Sequence, residues 1–204
     1  MASPDEVKIG NLTGTFKVMM LTVVSKNKGL SDDIGPLLEL QGINWLVRKM
    51  MVAGTPTLVI KEFVDGEGKA QLDIDLSGPA GIKGQDRRVL DWEPLTKNNG
   101  PFGLVENRGR YFSGTVESLS ALETEDHAFL NAEILADGSP SSWMDDGQHL
   151  QTTMVSKEGG WTSEQTWGFE LIDGKRYHTR RGIVTKDGEG CRRGRLVYDY
   201  IGSA

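Results

Sequence analysis

Short runs of alternating apolar and polar residues recur along the chain, and this pattern limits the folds open to it. In AQLDIDLS, leucine and isoleucine alternate strictly with aspartate, and glycine-containing turns such as IDGK and KDGEG separate similar runs. Alternation with period two is typical of half-buried β-strands, and glycine tolerates the positive φ of tight hairpin turns. We count about eight to ten antiparallel strands, which must close into a barrel or stack because their edges would otherwise stay unpaired.

One segment breaks this pattern. Residues 33–53 place apolar side chains at helical spacing, and Asp32 or Asp33 is positioned to cap the N-terminus. We predict one substantial helix near residues 33–53 and a second, short helix at residues 123–135. The chain of 204 residues shows no linker and no internal repeat. It therefore predicts one mainly β domain that spans residues 1–204.

Composition and charge argue against several classes of function. The net charge is −6, whereas nucleic-acid binders usually carry a basic face and proteins that dock on anionic membranes carry basic patches. No apolar run approaches the ~20 residues of a membrane span, and the N-terminus lacks the apolar region of a secretory signal. We therefore expect a cytoplasmic protein. The single Cys191 excludes an intrachain disulfide.

The sequence contains no motif of a familiar catalytic or metal site. G-x-S-x-G, a Walker loop and C-x-x-C are all missing. The histidines His127, His149 and His178 are too scattered to predict a metal centre. Candidate functional residues therefore come from the faces of the predicted strands.

Two strands place aromatic and polar side chains on one face. In TSEQTWGFEL, Gln165, Trp167 and Phe169 share a face, and in RLVYDY, Tyr198 and Tyr200 do so. A packed core uses the aromatic rings but has little use for the amide, whereas a ligand cavity uses both. A buried tyrosine O–H also needs a partner, such as a ligand oxygen or a water molecule.

Other strands offer further pairs on a shared face, and an alternative explanation applies to the aromatic residues Trp167, Phe169, Tyr198 and Tyr200. The pairs are Asn107 with Tyr111, His178 with Arg180, and Leu58 with Ile60. The alternative is that the aromatic residues simply fill a core. Alternation alone does not decide which face points inward, because a single β-bulge shifts a strand by one residue.

The ordered motifs GLSDD, LELQGINWLVRK, GPAGIKG, VLDW, EQTWGFEL and RLVYDY resemble a family of small fungal proteins with a lipocalin-like (calycin) barrel. The resemblance runs from about Gly14 to Gly202. The chain departs from the family at Phe16, where a tryptophan is expected after the first strand glycine. The resemblance implies a single antiparallel lipocalin-like β-barrel. Several members of that family act in secondary-metabolite pathways, and the type that this chain resembles most is the hetero-Diels–Alderases of tropolone–sesquiterpenoid biosynthesis.

The activity implied by this resemblance is that of a cofactor-independent pericyclase. It would join a tropolone-type o-quinone methide to a humulene-type sesquiterpene alkene in a stereoselective hetero-Diels–Alder cycloaddition that gives a dihydropyran. The expected partners are hydrophobic small molecules, without nucleic acid, membrane, cofactor or metal, and a homodimer is left open.

For this reaction, hydrogen bonds to the carbonyl oxygen of the heterodiene would stabilise its developing charge. We assign these donors to Gln165, Tyr198 and His178, with Arg180 as an alternative. The residues expected to line the substrate cavity are Met20, Met50, Leu58, Ile60, Tyr111, Trp167, Phe169 and Tyr200.

Two other functions fit the same pattern. A non-catalytic carrier of a hydrophobic molecule would use the same aromatic wall, but it has no need of polar donors that converge on one point. An isomerase or cyclase acting on a polyketide or terpenoid would need a proton shuttle, for which Asp91, Asp199 or His178 are the candidates.

Overall fold

The computed structural model describes residues 1–19, 29–53, 55–78, 81 and 83–204. Within these residues, ten strands form one antiparallel sheet. They are β1 (Gly14–Val18), β2 (Thr57–Val64), β3 (Ala70–Ser77), β4 (Lys83–Val89), β5 (Leu95–Asn98), β6 (Leu104–Phe112), β7 (His149–Ser156), β8 (Trp161–Ile172), β9 (Lys175–Lys186) and β10 (Gly190–Gly202). Their order is β4-β3-β2-β1-β10-β9-β8-β7-β6-β5. The prediction of a mainly β fold with eight to ten antiparallel strands is confirmed.

The sheet curls until its two ends approach each other, and side chains link them. Lys97 on β5 donates from Nζ to Asp86 Oδ1 on β4 over 2.7 Å. Arg88 on β4 donates from Nη1 to the carbonyl oxygen of Arg108 on β6 over 3.2 Å. These bonds span the seam between β4, at one end of the sheet, and β5 and β6, at the other.

The segment predicted as one helix near residues 33–53 contains two: α1 (Gly35–Leu40) and α2 (Trp45–Ala53). Gly42 separates them with a φ of +75°, a conformation that glycine adopts without strain. The Asn44 side chain then accepts a hydrogen bond of 2.9 Å from the backbone N–H two residues on, which caps the start of α2. Within the described ranges, no helix is long and apolar enough to cross a membrane.

The helices cover opposite faces of the sheet. Leu37 of α1 approaches Gly182 and Gly194, whose missing side chains leave it room on the inner face. The predicted short helix near residues 123–135 is α3 (Thr124–Leu130). Its residue Phe129 packs with Ile183 on the outer face.

The N-terminal segment packs into the main core of the sheet. Its apolar residues Val7, Ile9 and Leu12 are buried in the same cluster as the strand residues. Glu62 on β2 fixes the segment, because its carboxylate accepts hydrogen bonds from the backbone N–H of Gly10 (3.1 Å) and of Leu12 (2.6 Å). The interior is thus closed by the N-terminal segment near β2 and by α1 near β9 and β10.

Candidate functional site

The register of three long strands brings five of the predicted site residues together. Trp167 on β8 lies opposite Arg180 on β9, Phe169 lies opposite His178, and His178 lies opposite Tyr198 on β10. Directly opposed residues in antiparallel strands lie on the same face of the sheet. The face is the inner one, because Trp167, Phe169 and Tyr198 belong to the cluster that the curled sheet encloses.

Arg180 lies against this wall, and no acidic side chain among the described residues forms an ion pair with it. Its guanidinium carbon is 3.5 Å from the centroid of the Trp167 ring and 4.8 Å from that of Tyr198. Its Nε donates to His178 Nε2 over 3.3 Å, whereas its buried Nη2 has no hydrogen-bond partner among the described residues. Burial lowers the pKa of Arg180, but arginine remains charged in proteins because its ordinary pKa is so high. The wall therefore carries a cation with an unused N–H group.

His178 orients this cation. The imidazole is fully buried, and its Nδ1 lies 3.1 Å from the carbonyl oxygen of Gly168. Because Nε2 accepts from Arg180, the proton belongs on Nδ1, which donates to that carbonyl. Burial, followed by the positive charge of Arg180, holds the pKa of His178 well below its ordinary value. The neutral ring has no N–H left for a substrate, so we replace its assignment as a donor with a positioning role.

Gln165 and Tyr198 provide two further donors near Arg180. Gln165 Oε1 accepts a hydrogen bond of 3.1 Å from Trp167 Nε1, which leaves its amide N–H groups directed away from that contact. The Tyr198 ring lies 5.1 Å from the His178 ring. Burial raises the pKa of Tyr198 although Arg180 opposes the shift, so the phenol keeps its proton. Neither donor has a hydrogen-bond acceptor among the described residues.

The aliphatic residues of the predicted wall lie in the packed core. Leu58, Ile60 and Phe169 are 3%, 0% and 0% exposed and share one cluster with the N-terminal segment. The guanidinium of Arg176 covers the Phe169 ring at 3.6 Å from its centroid. At this end of the interior, these three residues therefore pack as core residues against the N-terminal segment.

The two remaining aromatic residues of the predicted wall also make contacts within the protein. Tyr111 donates its O–H to Glu62 Oε1 over 2.6 Å. Burial and this carboxylate both raise the pKa of Tyr111. The half-buried Tyr200 packs edge-on to Phe16, with 5.5 Å between ring centroids. Tyr111 therefore has its polar group committed to fixing the N-terminal segment.

Of the methionines assigned to the cavity, Met50 lies outside this wall. Met50 lies on α2 and is 39% exposed, and the nearby Trp45 and Leu46 are 63% and 51% exposed. This side of α2 faces outward, so Met50 is exposed, unlike the buried Trp167 and Phe169. Met20 lies outside the described residues.

The acidic residues considered for a proton shuttle lie away from Arg180. Asp199 is on the opposite face of β10 from Tyr198. Asp91 follows β4 and accepts a hydrogen bond of 3.3 Å from Lys69 Nζ. A backbone hydrogen bond from Glu93 and this lysine lower the pKa of Asp91. Both positions weaken the interpretation as an isomerase or cyclase.

Several polar residues of the inner face did not enter the predicted site. Asn107 is 2% exposed, and neither its Nδ2 nor its Oδ1 has a partner among the described residues. Asp86 forms ion pairs with Arg88 (2.6 Å) and Lys97 (2.7 Å). Burial raises the pKa of Asp86, but these two cations outweigh it, so the pKa lies below its ordinary value. In the sequence, the signal that could have identified Asn107 was its position on the same strand face as Tyr111.

Comparison with known proteins identifies the family. No protein-family model matches the chain. Pericyclase pydY from Acremonium sp is 32% identical over 208 residues, which cover 99% of this chain and 98% of the relative. The probable pericyclase scpY from Mollisia scopiformis is 31% identical over 179 residues, or 86% of each chain. The chain belongs to this pericyclase family.

Solved structures place the pericyclase-family chain in a known type of fold. The REP1-NXSQ fatty acid transporter superposes with a TM-score of 0.51 at 14% identity, covering 94% of this chain and 97% of the other. A mutant of the fluorescent protein UnaG gives a TM-score of 0.50 at 18% identity and covers 95% and 98%. These likenesses confirm the predicted lipocalin-like (calycin) fold.

Proposed function

We propose that this protein is a pericyclase that activates a carbonyl group of a hydrophobic substrate inside the curled sheet. One observation carries the proposal: Arg180 is a cation on the inner wall with an unpaired N–H and without a carboxylate partner among the described residues. An uncompensated buried charge is costly, and such groups concentrate at functional sites. The names of the two relatives agree with this class of reaction.

The mechanism requires little covalent participation by the protein. A carbonyl oxygen conjugated to the reacting diene gains negative charge as the new bonds form, and a hydrogen bond from Arg180 Nη2 strengthens in step with that charge. Gln165 and Tyr198 supply neutral donors beside it. The faces of Trp167 and Tyr198 hold the guanidinium in place. Confining the reactants in one pose removes up to ~7–11 kcal/mol of barrier in favourable models.

The specific reaction that we propose is a hetero-Diels–Alder cycloaddition. A tropolone-type o-quinone methide would react with a humulene-type alkene, forming one C–C and one C–O bond and giving a dihydropyran. The reaction transfers no proton or electron to the protein, and the proposal includes no cofactor or metal. The same donors would assist loss of water from a hydroxymethyl precursor to form the quinone methide.

Incubation with substrates tests this reaction. Purified protein would receive a hydroxymethyl tropolone-type precursor and a humulene-type alcohol, and chiral chromatography with mass detection would follow the adducts. We expect one stereoisomer to form faster than in buffer, and Arg180→Met to reduce this excess. A racemic product at the buffer rate would reject this substrate pair.

A carrier of a hydrophobic carboxylic acid is the second candidate function. The same unpaired Arg180 would bind a carboxylate, since guanidinium and carboxylate pair strongly. The two functions differ in a direct measurement. A carrier would bind a long-chain fatty acid with an affinity that Arg180→Met weakens, and it would accelerate no cyclisation. We favour the pericyclase because both curated relatives carry that name.

A further inference from the structure

Asn107 is a second polar group on the inner face that lacks a partner. Its side chain is 2% exposed, and both Nδ2 and Oδ1 are buried without a hydrogen bond to any described residue. About nine in ten buried polar groups in proteins are hydrogen-bonded. An amide with both of its functions unpaired therefore points to a missing ligand group.

A cavity lies next to this amide. It has a volume of about 150 Å³, and its lining includes Asn107, Arg88, Gly109 and Leu95. A cavity of roughly this size takes up one benzene ring in a well-studied case. Leu95 is 48% exposed, whereas Asn107 is buried, so the cavity reaches from the buried amide to the surface at the seam between β4 and β5.

Arg88, the buried charged group in the lining of the cavity, has partners of its own. Arg88 donates from Nε to Asp86 Oδ2 over 2.6 Å. Its Nη1 donates to the carbonyl oxygens of Arg108 (3.2 Å) and Thr153 (3.3 Å). The buried side chain of the lining that stays unpaired is the neutral amide of Asn107, which offers two donor N–H groups and one acceptor oxygen. The complementary ligand group is thus neutral and carries an acceptor and a donor on adjacent atoms.

We propose that Asn107 forms a binding subsite for a ring that bears such a pair, as in an α-hydroxy ketone. Nδ2 would donate to the carbonyl oxygen, and Oδ1 would accept from the hydroxyl. In register, Asn107 lies two inward-facing positions from Tyr111 along β6, or about 14 Å from the row that contains Trp167 and Arg180. Because the subsite is inferred from the unpaired amide and the adjoining cavity, it does not rest on the proposed reaction.

An NMR titration of the full chain tests the subsite. The probes are tropolone, which has adjacent carbonyl and hydroxyl groups, and tropone, which lacks the hydroxyl. The side-chain amide signals of Asn107 are identified by their loss in Asn107→Leu. We expect tropolone to shift these signals saturably, and tropone to bind about tenfold more weakly, because it leaves Oδ1 unpaired.

The variants separate this subsite from the reaction. Arg180→Met should leave the tropolone-induced shift unchanged even if cyclisation is lost, and Asn107→Leu should weaken tropolone binding about tenfold. Unshifted Asn107 signals up to the solubility limit of tropolone would overturn the proposal, as would equal binding of tropone. If Asn107→Leu does not fold, the Asn107→Asp variant, which keeps the acceptor and loses both donors, replaces it.

Discussion

Arg180 and Arg181 are neighbours in β9 but lie on opposite faces of the sheet. Arg181 is fully buried with Glu170, and their ion pair is 2.8 Å long. Each nitrogen of its guanidinium donates a hydrogen bond, to Glu170, to Ser141 Oγ and to the carbonyl oxygen of Ile134. Arg180, in contrast, contacts one imidazole nitrogen and two aromatic rings and keeps Nη2 unpaired.

The difference separates a structural cation from a candidate functional one. Arg181, with Arg195, compensates the charge of Glu170 beneath α3, so removing it leaves a buried carboxylate with too few partners. Removing Arg180 leaves no carboxylate of the described part of the chain without its ion pair. We therefore expect the outer arginine to control folding and the inner arginine to control function.

The largest expected effect follows from this comparison. Arg181→Met should lower the free energy of unfolding by about 3–5 kcal/mol, because breaking a buried pair leaves its partner charge uncompensated. Urea unfolding monitored by tryptophan fluorescence measures it. The matched variant Arg180→Met should stay within about 1 kcal/mol of wild type, since it removes a cation that forms no ion pair with any described carboxylate. Equal destabilisation by both variants would contradict the distinction.

The next effect concerns activity. Arg180→Met should lower kcat of the cyclisation about 100-fold, equivalent to about 2.7 kcal/mol, because it removes a charged donor that acts on the transition state. Steady-state kinetics measure kcat and KM separately. A higher KM with an unchanged kcat would mean that Arg180 contributes only ground-state binding. Arg180→Lys keeps the charge but loses the planar stack, so we expect an intermediate rate.

Strand alternation was enough to group the inner-face residues, but it could not show which of them lack partners. Gln165, Trp167, Tyr198 and Arg180 follow period two, and the register places them on one wall. Whether Arg180 has a partner depends on side chains from β8, β9 and β10 together. The pattern within a single strand does not encode this. The break between α1 and α2 depends on the positive φ of Gly42. The apolar spacing of residues 33–53 does not predict that angle.

The neutral donors should have smaller effects than Arg180. Tyr198→Phe and Gln165→Leu should each lower kcat about five- to tenfold, or about 1–1.4 kcal/mol, with a smaller change in KM, since each removes one uncharged hydrogen bond. The control is Tyr177→Phe, because Tyr177 is also buried but lies opposite Glu170 on the outer face. A similar loss of rate in this control would show that the effect comes from packing.

The smallest effect is a pH dependence of stability that comes from His178. Burial and Arg180 depress its pKa in the folded state, whereas the unfolded chain titrates near an ordinary value of about 6.5. Below that pH the unfolded state binds more protons than the folded state, so the free energy of unfolding decreases as the pH falls. Between about pH 7.5 and pH 6.0, one such proton lowers it by less than ~1 kcal/mol.

Urea unfolding of His178→Gln at the two pH values tests this assignment. The variant should lose part of the pH dependence of the wild type. His149 contributes with the same sign, because burial lowers its pKa although Asp146 and Asp145 oppose the shift. The double variant with His149→Gln should therefore lose more of the dependence than either single variant. If His178→Gln keeps the full wild-type dependence, the imidazole is not held neutral beside Arg180, and its positioning role would have to be abandoned.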